Sequence, residues 1–234
     1  MDTLVSYRLE SSIATITMDD GKVNALSPAM LSQLGRAFDQ AEADRAVVVL
    51  TGRTGVFSAG FSLPVLRAGG TDAAALLRTG FELAARLLAS PAPVVIACNG
   101  HAIAMGVFLV LSADYRVGVT GPYKLTANEV AIGMTLPLAA IEICRQRLAP
   151  AHLHRVAALA EPFTPDDGIA AGLLDRVVPA AELAAVAHGV ATQLLALDRD
   201  AYVGTKQRLR GPTLEALRRA IESDDAAFRA SAAR

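Results

Sequence analysis

Residues 93–117 read PVVIACNGHAIAMGVFLVLSADYRV, and this stretch decides the fold. Residues 94–97 are a continuous apolar run that is too short for a helix and is closed by an Asn-Gly pair, which is typical of a strand buried on both faces. Residues 105–111 predict a short apolar helix, and residues 114–119 predict the next strand. The stretch therefore predicts one complete strand, loop, helix and strand unit.

The same order of elements recurs on both sides of this stretch. Residues 47–50 are a second short apolar run, residues 72–89 have the apolar spacing of a helix, and residues 175–179 predict a further strand. Strands that alternate with helices are typical of a parallel sheet. The sequence therefore predicts an α/β fold with largely parallel strands.

The amino-terminal part of the chain predicts a different start to the sheet. Residues 5–9 and 14–18 alternate between apolar and polar side chains, and the serines at 11 and 12 supply a turn between them. We expect a β-hairpin there. Ser27 followed by Pro28 predicts the beginning of a helix, with the serine as its cap.

After residue 180 the sequence predicts helices only. Leu214, Leu217, Ile221 and Phe228 form an apolar stripe on the last of them, and this stripe needs a surface to pack against. The chain's own core and a neighbouring subunit would both serve. We therefore expect a core over residues 1–180 and a helical oligomerisation segment over residues 181–234.

The overall composition excludes several classes of partner. The 22 basic and 23 acidic residues are scattered along the chain and give a formal net charge of −1, so there is no basic stripe for a nucleic acid. No apolar stretch reaches the ~18 residues of a membrane span. The start of the chain is unlike a signal peptide, and Cys98 and Cys144 have the apolar surroundings of buried, reduced thiols. We expect a soluble, cytoplasmic protein with no nucleic-acid or membrane partner.

Several short motifs occur in an order that resembles the crotonase, or enoyl-CoA hydratase/isomerase, superfamily. These motifs are residues 24–26 (NAL), 57–60 (FSAG), 93–100 (PVVIACNG), 113–116 (ADYR), 128–129 (NE) and 170–178 (AAGLLDRVV). The resemblance spans nearly the whole chain. It implies a crotonase-like spiral core of repeated strand and helix units with a C-terminal helical segment. It also implies an acyl-CoA thioester substrate, of which coenzyme A is a part, no separate cofactor, no metal, and a homotrimer or a dimer of trimers.

The chemistry of this family needs two backbone N–H groups that converge on the thioester oxygen, because negative charge moves onto that oxygen when the α-carbon loses a proton. By the resemblance, the donors of this oxyanion hole are the N–H groups of Phe61 and Met105. Gly60 and Gly106 permit a close backbone approach, although they could also serve only as turn residues. The second loop departs from the Gly-Gly-Gly run of hydratases in this family, since Met105 lies between an alanine and a glycine.

One of the two glutamates that hydratases of this family use is matched by Glu129, and the other position holds Phe108. Phenylalanine can neither donate nor accept a proton, whereas moving a double bond from position 3 to position 2 needs only one base. The pattern is similar to that of the mitochondrial type of Δ3,Δ2-enoyl-CoA isomerase. An apolar environment that includes Phe108 is expected to raise the pKa of Glu129 towards neutrality. An ordinary surface or ion-paired carboxylate is the alternative for Glu129.

Other residues are weaker candidates for binding or catalysis. Lys22 and Lys206 are candidate partners for the CoA phosphates because of their charge, although solvated surface charge is equally compatible with each, and Ala25 and Ala59 are further expected CoA contacts. His101 lies beside the second loop and is expected to be a packed or hydrogen-bonded histidine rather than a proton carrier.

Two other functions stay open. The same scaffold supports hydratase, hydrolase and other acyl-CoA chemistry by changes around one oxyanion hole. A non-catalytic acyl-CoA-binding protein is also possible, but such a protein would have no reason to keep a carboxylate at position 129.

Overall fold

The structure is a computed structural model that describes residues 3–232, with side chains described through residue 230. The outer ends of the two expected segments, residues 1–2 and 233–234, lie outside this range. Within the described range the strands are β1 (Val5–Glu10), β2 (Ile13–Met18), β3 (Val47–Thr51), β4 (Gly55–Ser58), β5 (Val94–Cys98), β6 (Gly100–Ile103), β7 (Tyr115–Val119), β8 (Leu125–Thr126) and β9 (Arg176–Val178). The helices of the same range are α1 (Pro28–Ala43), α2 (Leu63–Ala68), α3 (Gly70–Ala89), α4 (Met105–Leu111), α5 (Leu138–Arg147), α6 (Pro150–Ala157), α7 (Pro165–Ala171), α8 (Leu183–Leu195) and α9 (Arg199–Ala232).

A six-stranded sheet has the order β1-β2-β3-β5-β7-β9. Its first two strands are antiparallel, and every later pair is parallel. The turn between β1 and β2 consists of Ser11 and Ser12, whose φ angles of 49° and 62° match the positive values that a two-residue hairpin turn requires. The expected hairpin and the largely parallel sheet are therefore confirmed.

A second sheet has three short parallel strands in the order β4-β6-β8. Each of them follows a strand of the large sheet along the chain, since β4 follows β3, β6 follows β5 and β8 follows β7. The chain thus passes repeatedly from the large sheet to the small one. This arrangement confirms the spiral core of strand and helix units that the resemblance implies.

Both faces of the large sheet are buried, and the alternation of side chains along its strands explains how. In β3, Val48 and Leu50 point into a core formed with α1 and α3. Val47 and Val49 point to the other face, where Leu183 of α8 packs on them. A strand with helices on both faces must be apolar at every position, which is the pattern seen in the sequence.

The last helix packs on the chain's own core. Leu214, Leu217 and Ile221 are only 8%, 0% and 5% exposed, because α9 lies against α3 and α5. Of the two surfaces that the sequence left open for this stripe, the chain's own core is therefore the one that buries these three residues. The oligomerisation role of residues 181–234 stays a prediction. Amphipathic spacing predicted that the stripe is buried, but it did not determine which surface buries it.

Polar contacts join α9 to the two helices beneath it. The Arg78 guanidinium on α3 donates hydrogen bonds to Glu222 at 2.7 Å and to Asp225 at 3.2 Å. The Asp224 carboxylate accepts one of 2.9 Å from the N–H of Ala139, in the first turn of α5. Since α5 begins after Pro137 without a side-chain cap of its own, Asp224 supplies that cap from another helix.

Across the described residues, no single helix is long and apolar enough to cross a bilayer, and α8 with α9 passes that test only as a pair bent by 102°.

Candidate active site

The small sheet brings the candidate residues together. Its three strands are parallel, so their carboxyl ends lie at one edge. Phe61 follows β4, Met105 follows β6 and Glu129 follows β8. Residues after the carboxyl ends of neighbouring parallel strands are where ligands commonly bind in α/β proteins. All three predicted catalytic positions therefore leave the same sheet edge.

The loop after β4 is fixed by a backbone bridge to Leu26. The N–H of Leu26 donates to the carbonyl of Gly60 at 2.8 Å, and the N–H of Ser62 donates to the carbonyl of Leu26 at 3.2 Å. In a parallel bridge of this kind, the residue between the two that hydrogen-bond to Leu26 points its own N–H away from Leu26. This residue is Phe61, and no acceptor for its N–H is found among the described residues.

The loop after β6 holds Ala104 in an unusual conformation, with φ of 51° and ψ of −125°. A non-glycine residue in such a region costs on the order of 1–3 kcal/mol and is held there by its surroundings. Here the N–H of Ala104 donates to the carbonyl of Thr126 at 2.9 Å, which anchors the loop to β8. The next N–H, that of Met105, begins α4 and likewise finds no acceptor among the described residues. Phe61 and Met105, the two expected donors, therefore both have an N–H without an acceptor in the described part of the chain.

The two loops are in contact, and glycine is what permits it. A Cβ atom on Gly60 would lie 2.9 Å from both the Ile103 carbonyl oxygen and the Ala104 Cβ, and the φ angle of Gly60 is +86°. A Cβ atom on Gly106 would collide with the carbonyl oxygen of Ser58. Both glycines therefore allow a close backbone approach, and they are not only turn residues.

Glu129 is the most deeply buried carboxylate among residues 3–230, at 8% exposed. Its Oε2 atom has no hydrogen-bond partner in the described part of the chain. Burial raises the pKa of Glu129 to about 7, because the charged form loses its hydration. The expected rise in this pKa is confirmed, and the ion-paired alternative is excluded for the described residues. A carboxylate with this pKa can both accept and return a proton at neutral pH.

Glu129 also lies near a thiol. The pKa of Cys144, on α5, is raised by burial and further by the charge of Glu129. Cys144 and Cys98 are both free and buried, as the sequence predicted.

Three aromatic rings, those of Phe61, Phe81 and Phe108, lie next to one another. Phe108 is 1% exposed on α4, so the position of the second glutamate of hydratases holds a buried phenyl ring. Its ring lies 6.2 Å from that of Phe81, which lies 6.0 Å from that of Phe61 in an edge-to-face arrangement. Sequence reasoning missed Phe81 and its neighbour Gly80, although a glycine within a 20-residue helix was a visible signal.

Three of the four residues expected to bind CoA are brought together. The N–H of Ala59 donates to the carbonyl of Val23 at 3.0 Å, and the Asp20 carboxylate accepts hydrogen bonds from the N–H groups of Lys22 and Ala25 at 2.8 and 3.0 Å. These contacts tie the loop after β2 to the loop after β4. Asp20 was not identified from the sequence, and its role follows only from the folded loop.

Lys206 is not part of this group. Its ammonium is buried and lies 2.9 Å from Asp114 Oδ2, and Arg210 pairs with the other oxygen at 3.0 Å. Asp114 Oδ2, the oxygen that contacts Lys206, also accepts a hydrogen bond from the N–H of Val94. The Lys206–Asp114 ion pair therefore lies at the amino ends of β5 and β7. Lys22 follows the carboxyl end of β2, at the opposite edge of the sheet. The structure therefore corrects the expectation for Lys206, whose charge is engaged within the fold.

Two of the four histidines have structural contacts. The Nδ1 atom of His101 accepts a hydrogen bond of 3.0 Å from the N–H of Lys124, and its ring packs edge-on against Tyr123, as expected for a packed histidine. His152 lies against Phe163 with ring centroids 5.9 Å apart. Among residues 3–232 no three histidine, cysteine or acidic side chains are grouped so that they could hold a metal ion.

Known proteins resemble the chain over nearly its full length. The sequence profile of the family described as enoyl-CoA hydratase/isomerase matches residues 8–234. The mitochondrial enoyl-CoA delta isomerase 1 of Mus musculus is 28% identical over 226 residues, which cover 94% of this chain and 78% of that protein. The apo structure of an enoyl-CoA isomerase from Mycobacterium tuberculosis, a protein that is also named a probable enoyl-CoA hydratase, has a TM-score of 0.92 at 45% identity and covers 95% of this chain and 98% of its own. The crystal structure of an enoyl-CoA hydratase from Mycobacterium marinum has a TM-score of 0.93 at 43% identity and covers 97% and 100%. Relatives named as isomerases and as hydratases are thus similarly close.

Proposed function

The chain belongs to the enoyl-CoA hydratase/isomerase family, and on this premise we propose that it moves the double bond of a 3-enoyl-CoA thioester to position 2. The observation that carries the proposal is a buried carboxylate at Glu129, whose Oε2 atom has no hydrogen-bond partner among the described residues, together with an apolar side chain at Phe108. A double-bond shift needs one base that both removes and returns a proton. Hydration needs a second acid, which Phe108 cannot supply.

In the first step the thioester oxygen lies between the N–H groups of Phe61 and Met105. Glu129 removes a proton from C2, and the electron pair of the C–H bond passes through the carbonyl to the oxygen. The two N–H groups stabilise the resulting dienolate, and each such donor contributes about 3–4 kcal/mol to catalysis. Because the donors are fixed by backbone contacts, they do not have to reorganise when the charge develops.

In the second step Glu129 returns the proton to C4, and the double bond forms between C2 and C3. The carboxylate is regenerated, and no water, oxidant or second acid is consumed. The pKa of about 7 for Glu129 supports this role, because the carboxylate and the acid are then close in free energy at neutral pH.

Enoyl-CoA hydration is the alternative, and relatives named as probable enoyl-CoA hydratases favour it, such as one from Bacillus subtilis at 25% identity over 174 residues. It would require another group to take the part of the missing carboxylate. Buried Phe108 also leaves less space for the water that hydration must position.

Isotope transfer tests the proposal. A 3-enoyl-CoA thioester deuterated at C2 is turned over, and the product is examined by mass spectrometry and NMR. Isomerisation with a single base leaves the mass near that of the substrate and places part of the deuterium at C4. Recovery of the deuterated 3-enoyl-CoA unchanged, while the corresponding 2-enoyl-CoA gains the mass of one water, would instead show hydration.

We also propose that the enzyme assembles as a trimer or a dimer of trimers, on the basis of the family resemblance. The interface must use surfaces other than the stripe of Leu214, Leu217 and Ile221, which is buried within the chain. Sedimentation velocity at micromolar concentration tests this, and a stable monomer there would remove the proposal.

A further inference from the structure

We propose that Gly80 is a positioning residue, which acts on catalysis by fixing the side chain, and through it the backbone N–H, of Phe61. The inference rests on the proposed function, in which that N–H stabilises the thioester oxygen. Gly80 lies in the middle of α3 and is buried. Its importance follows from what stands directly against it.

The ring of Phe61 occupies the space where any other residue at position 80 would place its side chain. A Cβ atom on Gly80 would lie 2.5 Å from Cζ of Phe61, and it would be closer still to Cε1. Ordinary carbon–carbon contacts are about 3.5–4.0 Å. The ring would therefore have to move by about 1 Å to accept a methyl group there.

The helix itself gives an independent reason to expect a role. A glycine in the interior of a helix is about 1 kcal/mol less favourable than alanine. Gly80 lies at the eleventh of the 20 residues of α3, far from either end, so no cap or turn requires it. Its φ angle is not among the positive values found in the chain. Because Gly80 has no side chain, the ring of Phe61 can pack directly against α3 at this position.

Phe61 is partly buried, and two contacts hold it in place. The Phe81 ring meets it edge-on, with an interplanar angle of 69°. On the other side the bridge to Leu26 fixes the residues before and after it. If the ring of Phe61 is pushed away from α3, it must either rotate out of its contact with Phe81 or shift the loop after β4, which carries the N–H of Phe61. A displacement of 1 Å in a catalytic group can lower a rate by on the order of 100-fold.

A double-mutant cycle tests the proposal, with Gly80→Ala, Phe61→Ala and the double variant. Phe61→Ala keeps the backbone N–H and removes the obstacle. We expect Gly80→Ala alone to lower kcat by on the order of 10- to 100-fold with a near-normal Kd for a saturated acyl-CoA. In the Phe61→Ala background the same change should cost no further activity, which gives a large coupling between the two positions.

A matched control separates positioning from general damage to a helix. Gly189 in α8 has no atom within 4 Å of an added Cβ, so Gly189→Ala should leave activity unchanged. If Gly80→Ala folds too poorly to assay, Phe81→Leu frees the ring from its other side and should lower kcat as well.

The proposal is overturned if Gly80→Ala has the wild-type kcat, if it loses the same factor with and without Phe61, or if Phe81→Leu is unaffected. Failure of the proposed function would look different, because wild-type protein would then not convert 3-enoyl-CoA. The cycle would in that case be measured with the thioester that the wild type does convert.

Discussion

The backbone nitrogen of Met105 lies 3.1 Å from the position that a Cβ atom on Gly60 would occupy. The two loops that carry the proposed N–H donors are therefore separated by no more than the absent side chain of one glycine. Gly60 also has a φ of +86°, where residues with a side chain are strained.

Gly60→Ala should consequently reduce turnover by 100-fold or more, roughly the loss of one oxyanion donor, because the new methyl group separates the loops. Gly55→Ala is the matched control, since its φ is +85° but an added Cβ there meets nothing within 4 Å. Both variants carry the same backbone strain, and steady-state kinetics should show a large loss only at position 60. Equal losses would mean that strain, and not loop separation, is responsible.

Glu129→Gln should abolish isomerisation and leave acyl-CoA binding nearly intact, because the amide keeps the shape of the side chain but cannot accept a proton. Loss of a positioned base costs on the order of 10²–10⁴ in rate. Glu142→Gln is the control, because Glu142 pairs with Arg145 near the surface of α5. Normal turnover of Glu129→Gln would show that another group is the base.

The pH dependence of kcat/KM should report one ionisation. The active form of Glu129 is the carboxylate, and its pKa is raised by burial to about 7. Activity should therefore fall by about tenfold per pH unit below 7 and level off above it. A profile that stays flat down to pH 5 would mean that the base has an ordinary carboxylate pKa and is not this buried residue.

Phe108→Glu should gain some hydration of 2-enoyl-CoA, because it places a carboxyl group where hydratases of the family have one. Phe108 is 1% exposed, so the substitution buries an ionisable group and should cost a few kcal/mol of stability, about 2–5 kcal/mol. Phe108→Leu keeps the site apolar and should gain no hydratase activity. Product analysis by chromatography distinguishes the two variants, and equal hydration by both would show that the acid is not needed.

Sequence reasoning predicted the large sheet well because β3 and β5 contain runs of four apolar residues with clear ends, and because β1 and β2 alternate around a turn. Residues 105–111 were predicted as a helix, and α4 has those bounds. The small sheet was missed because β8 has only two residues and β6 is interrupted by a histidine. Such strands are formed by pairing with neighbours, so local pattern does not reveal them.

The motifs predicted which positions lie at one edge of the small sheet, namely Phe61, Met105 and Glu129, and the roles of these residues stay predictions. The sequence did not predict roles that depend on contacts between residues far apart in the chain. Lys206 was assigned to CoA because of its charge, but Asp114, 92 residues away in sequence, binds that charge within the fold. Gly80 could be interpreted only once the ring of Phe61 was seen against it.

The most direct test of the central claim is a side-by-side assay of the wild-type protein with 3-enoyl-CoA and 2-enoyl-CoA thioesters of several chain lengths. Isomerisation of the first and hydration of the second are measured under the same conditions. With Glu129 as the single base and Phe108 in place of a second acid, the protein should convert 3-enoyl-CoA efficiently and hydrate 2-enoyl-CoA weakly at every length. Efficient hydration of 2-enoyl-CoA, with 3-enoyl-CoA left untouched, would contradict the isomerase assignment and require another residue to act as the second acid.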